Sequence, residues 1–340
     1  MTSAATEPVT PSDTRPPRVR ARLVVALAAC AALVIVTGAI AIWAPWRSVQ
    51  PTQSIRYLGV YEPDAPSSYA GLDRFAQSIG RQPNLVTYYS HWLDPFQAGF
   101  AAAAARHGAT TLVQIAPKDV PVARIAAGQF DPYLRSYAMA VKDYGRQVVL
   151  SFGHEMNGDW YSWGYKHTSP DVFVSAWRHI VTVFRAVGAR NATWLWTVNI
   201  VGNEGPMTSD PAPWWPGNSY VDWVGIDGYY YTSSQDFANI FGPTIVEIRT
   251  LTHDPVIIAE TGASLSSGQS AKVTDLFAGI QTYGLLGFVW FNADDTAQGL
   301  DWRLTSRSVL SVFSRDAKAF MRPLAMAGPA RYSSSGSAPP

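Results

Sequence analysis

The chain is organised around residues 147–164, which read Gln-Val-Val-Leu-Ser-Phe-Gly-His-Glu-Met-Asn-Gly-Asp-Trp-Tyr-Ser-Trp-Gly. The first residues of this stretch, 147–150, are mostly apolar and predict a buried strand. The apolar pattern then stops, and a histidine, a glutamate, an amide and two tryptophans follow within 154–163. Aromatic faces stack on pyranose rings, and a carboxyl group beside them can serve in proton transfer. A strand end of this composition is typical of a sugar-binding cleft.

The composition limits the classes of protein to consider. The 340 residues are 47% hydrophobic and 15% charged, which is enough apolar material for one large or two ordinary domains. The net charge is +1 and no basic block lies outside the N-terminus, so nucleic-acid binding has no electrostatic support. The single cysteine, Cys30, excludes a disulfide framework and a cysteine-based metal site. The 13 Trp, 16 Tyr and 14 Phe residues fit either a packed core or a glycan-binding surface.

Residues 23–43 predict a transmembrane anchor. This unbroken apolar stretch is long enough to cross a bilayer core of about 30 Å as a helix, at roughly 1.5 Å per residue. Four arginines precede it in a disordered basic tail over 1–22, which we expect in the cytoplasm because positive charge favours that side. A cleaved secretory signal ending near residues 39–41 is the alternative. In both cases the remainder of the chain lies outside the membrane, after a linker over 44–54.

From residue 55 onward, apolar strands alternate with helices. The predicted strands cover 56–61, 85–89, 110–115, 147–152, 192–198, 221–226, 255–259 and 285–290. Continuous apolar strands separated by helices predict a parallel sheet covered on both faces, as in α/β proteins. Eight such units in roughly 270 residues favour a (β/α)8 TIM barrel over 55–325, followed by a disordered tail over 326–340. An open doubly wound sheet is the alternative, although no Gly-rich phosphate loop follows the first strand.

Two glutamates lie at predicted strand ends. Glu155 follows the fourth strand and Glu260 ends the seventh, at the edge of the barrel where active sites gather. Glycoside hydrolysis requires such a pair, one carboxyl protonated and one ionised, about 5–5.5 Å apart for retention and 6.5–9.5 Å apart for inversion. We expect the pKa of Glu155 to be raised by the charge of Glu260 and a partly apolar site. The other predicted sugar contacts at this edge are His91, Trp92, Asn157 and Trp163.

Three short motifs carry a family resemblance. The first is His-Glu-Met-Asn-Gly over 154–158, followed by Trp160. The others are Gly-Ile-Asp-Gly-Tyr over 225–229 and Ile-Ala-Glu-Thr-Gly over 258–262. Together they resemble glycoside hydrolase family 26, a family of retaining (β/α)8 enzymes best known as β-mannanases, with some β-1,3-1,4-glucanases and β-1,3-xylanases. In outline the resemblance covers the whole barrel.

The resemblance implies roles for individual residues. Glu155 takes the acid/base position and Glu260 the nucleophile position, while Tyr229 resembles the tyrosine that hydrogen-bonds the nucleophile and holds it ionised. The implied substrate contacts are His154 in the reacting subsite, Trp160 in the wall of the cleft and Trp290 as the aromatic floor under the reacting sugar. One position departs from the pattern: Ser151 lies where family members often carry an arginine, three residues before the motif histidine.

The implied function is that of a retaining endo-β-glycosidase acting by double displacement outside the cell. We favour β-1,4-mannan as substrate, with β-1,3-1,4-glucan second. A catalytically inactive carbohydrate-binding barrel at the cell envelope is the alternative, although a binder has no need for both glutamates. Neither a His-Glu-x-x-His metal motif nor a Gly-x-Ser-x-Gly nucleophile elbow is present, so we expect no metal, no cofactor and no acyl transfer. We also expect a monomer.

Overall fold

The computed structural model describes residues 55–201, 210–295 and 299–322. The predicted basic tail over 1–22, the anchor over 23–43, the linker over 44–54 and the tail over 326–340 lie outside these ranges. Within them, no helix has both the length and the apolar character needed to cross a membrane.

Eight parallel strands close into one barrel in chain order. They are β1 (Tyr57–Tyr61), β2 (Leu85–His91), β3 (Thr110–Ala116), β4 (Val148–Phe152), β5 (Ala192–Asn199), β6 (Trp223–Asp227), β7 (Val256–Thr261) and β8 (Gly287–Phe291). The barrel closes where β8 pairs with β1, with Gly287 beside Tyr57. A Cβ on Gly287 would lie 1.9 Å from the Tyr57 carbonyl oxygen, so closure at this point requires glycine. The predicted (β/α)8 barrel is confirmed, and the open sheet is excluded.

Helices cover the outside of the barrel between the strands. They are α1 (Ala70–Ile79), α2 (Ala98–Arg106), α3 (Val122–Ala126), α4 (Asp131–Tyr144), α5 (Pro170–Val187), α6 (Phe237–Leu251), α7 (Gln269–Thr282) and α8 (Arg307–Phe320). Sequence signals set their ends, as α5 illustrates. It begins with proline at its first position after Ser169 and ends before Gly188, whose φ of 86° is left-handed. A short antiparallel ribbon of β9 (Asp294–Asp295) and β10 (Leu300–Asp301) follows β8.

The apolar core has two layers because successive strand residues point to opposite faces of the sheet. The inner layer fills the barrel and consists of Tyr57, Leu85, Leu112, Val149, Leu195, Ile257, Ala259 and Val289. The outer layer lies between strands and helices and is much larger. Its biggest fully buried side chains include Trp177, Trp196 and Trp290. Much of the heavy aromatic content of the chain is therefore core packing.

An irregularity in β7 determines where Glu260 points. Ala259 belongs to the inner layer, so strict alternation would turn Glu260 outward. The pairing with β6 shifts by one residue here, since Ile226 lies beside Ile258 but Asp227 lies beside Glu260. Such a bulge re-aims a side chain. It turns Glu260 toward the mouth of the barrel.

Candidate active site

The backbone after β4 takes an unusual path that positions Glu155. Gly153 has a φ of 57° and Glu155 a φ of 55°, both in the left-handed region. That conformation costs a non-glycine residue about 1–3 kcal/mol, and such strain is concentrated at functional sites. A hydrogen bond of 2.9 Å from the Glu155 backbone N–H to the Thr197 carbonyl holds the turn against β5. This bonded turn places Glu155 at the barrel mouth.

The Glu155 carboxyl is buried and accepts two hydrogen bonds. The Trp160 indole N–H donates to Oε2 at 2.9 Å, and the Asn199 amide donates to Oε1. Burial is the main cause that raises the pKa of Glu155 to about 7, and the nearby Glu260 carboxylate adds to it. The two donors act in the opposite direction because they favour the charged form. A carboxyl with this pKa can hold a proton and release it near neutral pH.

Glu260 lies in a different environment, between two tyrosine hydroxyls. Tyr229 donates to Oε1 and Tyr89 donates to Oε2. Burial raises the pKa of Glu260 above its usual value, while both hydroxyl bonds oppose this by favouring the carboxylate. The two tyrosines themselves have strongly raised pKa values, first because they are buried, so they remain donors. Glu260 is thus oriented through both oxygens.

Aromatic rings continue around the mouth from Glu260. Tyr61 stacks on Phe291 at 4.8 Å between ring centroids and meets Tyr89 edge-on at 5.0 Å. On the other side, Tyr229 packs on Trp302 at 4.4 Å. Trp160, across the mouth, leaves 41% of its surface exposed. The glutamates are therefore flanked by aromatic surface on both sides.

His154 is enclosed by aromatic rings. Its ring centroid lies 5.1 Å from that of Tyr161, 5.7 Å from Tyr89 and 5.8 Å from Trp163. Burial lowers the pKa of His154 to about 4, so the imidazole is neutral at pH 7. Its Nδ1 is buried without a hydrogen-bond partner among the described residues. The structure thus brings His154 to the glutamate pair, as a neutral group.

The prediction that Trp290 forms the floor under a sugar is wrong. Trp290 is fully buried in the outer layer, packed edge-on against Phe313 of α8. Its position in β8 faces the helices, and the inner face at this level belongs to Val289 and Phe291. Its indole N–H donates at 3.0 Å to the carbonyl of Trp302. Trp290 therefore supports Trp302, the ring that packs on Tyr229.

Three other predicted sugar contacts lie in supporting positions. Trp92 is buried against Phe130, Tyr133 and Phe152, so it belongs to the outer core. Trp163 is buried and its indole N–H donates at 2.8 Å to the His154 carbonyl. Asn157 is fully buried, and its side-chain amide makes hydrogen bonds of 2.9 Å with both the backbone N–H and the carbonyl of Asn199. These predictions of direct contact need correction, because each of the three side chains is packed inside the protein.

His91 lies at the end of β2 with an exposed side chain, on the same rim of the barrel. Two groups that bond the glutamates had no role assigned from the sequence, Tyr89 and Asn199. Both could have been found from their positions in the sequence, since both occupy inward positions near the ends of their strands. Within the described ranges, no group of three or more His, Cys, Asp or Glu side chains could hold a metal ion.

The chain is similar in sequence to known glycoside hydrolases. Residues 130–265, which include both glutamates, match the family model described as glycosyl hydrolase family 26. The chain is 30% identical over 265 residues to Endoglucanase H of Acetivibrio thermocellus, covering 73% of this chain and 29% of that protein. It is 26% identical over 174 residues to the β-1,3-xylanase TXYA of a Vibrio species, covering 48% of this chain and 36% of that protein. The chain therefore spans about a third of the length of these curated relatives.

The barrel also resembles solved structures. A mannanase from Bacillus subtilis aligns with a TM-score of 0.57 and 18% identity, covering 76% of this chain and 85% of that chain. At this identity the likeness concerns the fold.

Proposed function

Because the chain belongs to glycoside hydrolase family 26, we propose that its barrel cleaves a β-linked polysaccharide by double displacement. One observation carries this proposal: the two glutamates accept hydrogen bonds from different donors, an indole and an amide for Glu155 and two tyrosine hydroxyls for Glu260. Glu155 is buried with a pKa raised to about 7, which suits a proton donor. Glu260 accepts hydrogen bonds from two tyrosines on its two oxygens, which suits an ionised nucleophile.

In the first step, Glu260 attacks the anomeric carbon and the glycosidic C–O bond breaks. Glu155 gives its proton to the departing oxygen, so the leaving sugar departs as a neutral alcohol. A covalent glycosyl-enzyme ester on Glu260 results. Negative charge leaves Glu260 as the ester forms, while Glu155 becomes ionised, so the site keeps one negative charge throughout.

In the second step, the ionised Glu155 takes a proton from water, and the resulting hydroxide-like oxygen attacks the anomeric carbon. The ester bond breaks and Glu260 returns as carboxylate, where Tyr229 and Tyr89 receive the charge. The Trp160 and Asn199 donors stabilise Glu155 while it is ionised between the steps. The product retains the configuration of the substrate.

We place β-1,4-mannan first among substrates and β-1,3-1,4-glucan second. The groups described around the glutamates are aromatic rings, hydroxyls, an amide, a neutral imidazole and carboxyls, which suits an uncharged sugar chain. Trp160, partly exposed beside Glu155, offers a stacking surface for a neighbouring sugar. The names of the relatives include endoglucanase, β-1,3-xylanase and mannanase, so the substrate must be chosen by assay.

The test is hydrolysis of a panel of β-glycans by the purified full chain, beside Glu155→Ala and Glu260→Ala. We expect reducing ends to be released from mannan or mixed-linkage glucan, with both variants inactive. Ser175→Ala serves as a matched control, since Ser175 lies exposed on α5 and bonds only within that helix. Activity that survives Glu260→Ala would exclude the mechanism, and binding without hydrolysis of any glycan would favour a carbohydrate-binding barrel.

The cellular setting remains a separate proposal. The apolar stretch over 23–43 and the arginines before it support a single membrane anchor with the barrel outside the cell, acting as a monomer on extracellular glycan. Protease treatment of intact cells tests this. Loss of the barrel from the cell surface, with the tail over 1–22 protected, is the expected result, and a fully protected barrel would contradict it.

A further inference from the structure

A polar layer lies inside the barrel near the two glutamates. It consists of Gln114 of β3, Ser151 of β4, Thr197 of β5 and Asp227 of β6, all fully buried. Ser151 lies beside Gln114 in the strand pairing, and its hydroxyl is 3.1 Å from the Thr197 hydroxyl. Both amide atoms of Gln114 are without a hydrogen-bond partner among the described residues. This part of the interior is built from uncharged groups and one aspartate.

Asp227 is the unusual member of the layer. It ends β6, beside Asn199 on one side and Glu260 on the other. Neither of its oxygens has a hydrogen-bond partner in the ranges the structure describes, and no ion pair there includes it. An ionised carboxylate buried without a partner costs so much free energy that the group keeps its proton instead. Geometry alone therefore favours an uncharged Asp227.

The neighbouring groups act in the same direction. The titratable groups that face Asp227 are the carboxyls of Glu260 and Glu155 and the hydroxyls of Tyr89, Tyr161 and Tyr229. None of these groups carries a positive charge. Burial first, then the charges of Glu260 and Glu155, raise the pKa of Asp227 well above its usual value.

Resting on the proposed function, we infer that Asp227 is a positioning residue that keeps its proton during the reaction and acts through Glu260. If Asp227 were ionised, its charge beside Glu260 would disfavour the carboxylate that attacks the sugar. An uncharged Asp227 leaves Glu260 as the single charged member of the three-carboxyl cluster. The presence of Ser151 instead of an arginine fits this, because a guanidinium in the polar layer would favour ionised Asp227.

The first test needs no substrate, so it is independent of the proposed function. The full chain is labelled with ¹³C at its aspartate carboxyls, and the infrared band of a protonated carboxyl is measured at pH 7. We expect the band in the natural protein and its loss in Asp227→Asn, which assigns it. A natural protein without the band would overturn the inference. Because this reading is made on the natural chain, a poorly folded variant cannot obscure it.

The second test follows thermal unfolding and activity against pH. A carboxyl group whose pKa is higher in the folded than in the unfolded protein makes its full contribution to folding stability below the unfolded-state pKa. That contribution is lost as pH rises toward the folded-state pKa. The Tm of Asp227→Asn relative to the natural chain should therefore increase as pH rises from about 4.5 to 7.5. In a kcat/KM profile the basic limb of Asp227→Asn should keep its midpoint. A constant Tm difference, or a basic limb displaced by one pH unit or more to lower pH, would show an ionised Asp227.

Discussion

Replacing Tyr229 by phenylalanine should weaken Glu260 as a nucleophile without removing any ring from the site. The change deletes the hydroxyl that donates to Glu260 Oε1 and keeps the packing on Trp302. A hydrogen bond to a charged group contributes about 1.5–3 kcal/mol. The reaction requires Glu260 in its ionised form, so where loss of the bond leaves Glu260 mainly protonated in the resting enzyme, kcat/KM should fall by up to roughly 10- to 150-fold, at 1.36 kcal/mol for each factor of ten.

The same change should alter the pH dependence. The Tyr229 hydroxyl lowers the pKa of Glu260, so its loss raises that pKa. Since the nucleophile must be ionised, the acidic limb of the kcat/KM profile should move to higher pH, by about one to two units for 1.5–3 kcal/mol. The assay is initial-rate hydrolysis of the best β-glycan at several pH values.

Tyr230 provides the matched control. It follows Tyr229 directly, is fully buried, and its hydroxyl donates to Asp275 at 3.1 Å instead of to a site glutamate. Tyr230→Phe should lower stability and leave the acidic limb in place. If both variants gave the same profile as the natural chain, the proposed role of Tyr229 would be refuted.

Further predictions concern Glu155, two tryptophans and Asn157. Glu155 must be protonated to act, so kcat/KM should decline as pH rises through about 7. Trp160→Phe should move that decline to higher pH, because the indole N–H lowers the pKa of Glu155. A decline that stays in place in Trp160→Phe would contradict this. Trp290→Ala should reduce the free energy of unfolding by about 3–5 kcal/mol, measured by denaturant titration, whereas Trp160→Ala should reduce activity with little change in stability. Asn157→Ala should lower Tm and kcat together, because it leaves two Asn199 backbone groups unpaired at a cost of about 1–3 kcal/mol each; an unchanged Tm would argue against that support.

The barrel and the positions of the glutamates were predictable because both depend on the hydrophobic pattern and on the order of strands and helices along the chain. Eight apolar strands separated by helices leave few alternatives, and polar residues after strands four and seven meet at one edge of a closed parallel barrel. The bulge in β7 was not predictable, since no glycine or proline marks the shift between Ile258 and Thr261. Strict alternation would have turned Glu260 away from the mouth.

The aromatic contacts were harder to predict than the acids. Trp290 was placed in the cleft because it ends an apolar strand. Every residue of that strand end is apolar, so its composition does not show which side chains face the barrel interior and which face the helices. Trp302, which packs on Tyr229 instead, lies beyond the strands after a β-ribbon, so nothing in its local sequence connects it to the site. Tyr89 was overlooked because His91 and Trp92, which follow it closely, were predicted as the contacts at the end of the second strand.

The covalent bond that we propose between Glu260 and the sugar can be detected directly. A 2-deoxy-2-fluoro β-glycosyl fluoride of the preferred sugar should slow the second step and let the intermediate accumulate, because the fluorine destabilises both oxocarbenium-like transition states while the fluoride leaves readily. Peptide mass spectrometry of the treated full chain then locates the adduct. We expect one sugar on the peptide that contains Glu260, absent in Glu260→Ala. An adduct on another residue, or the natural chain hydrolysing this reagent with inversion, would contradict it.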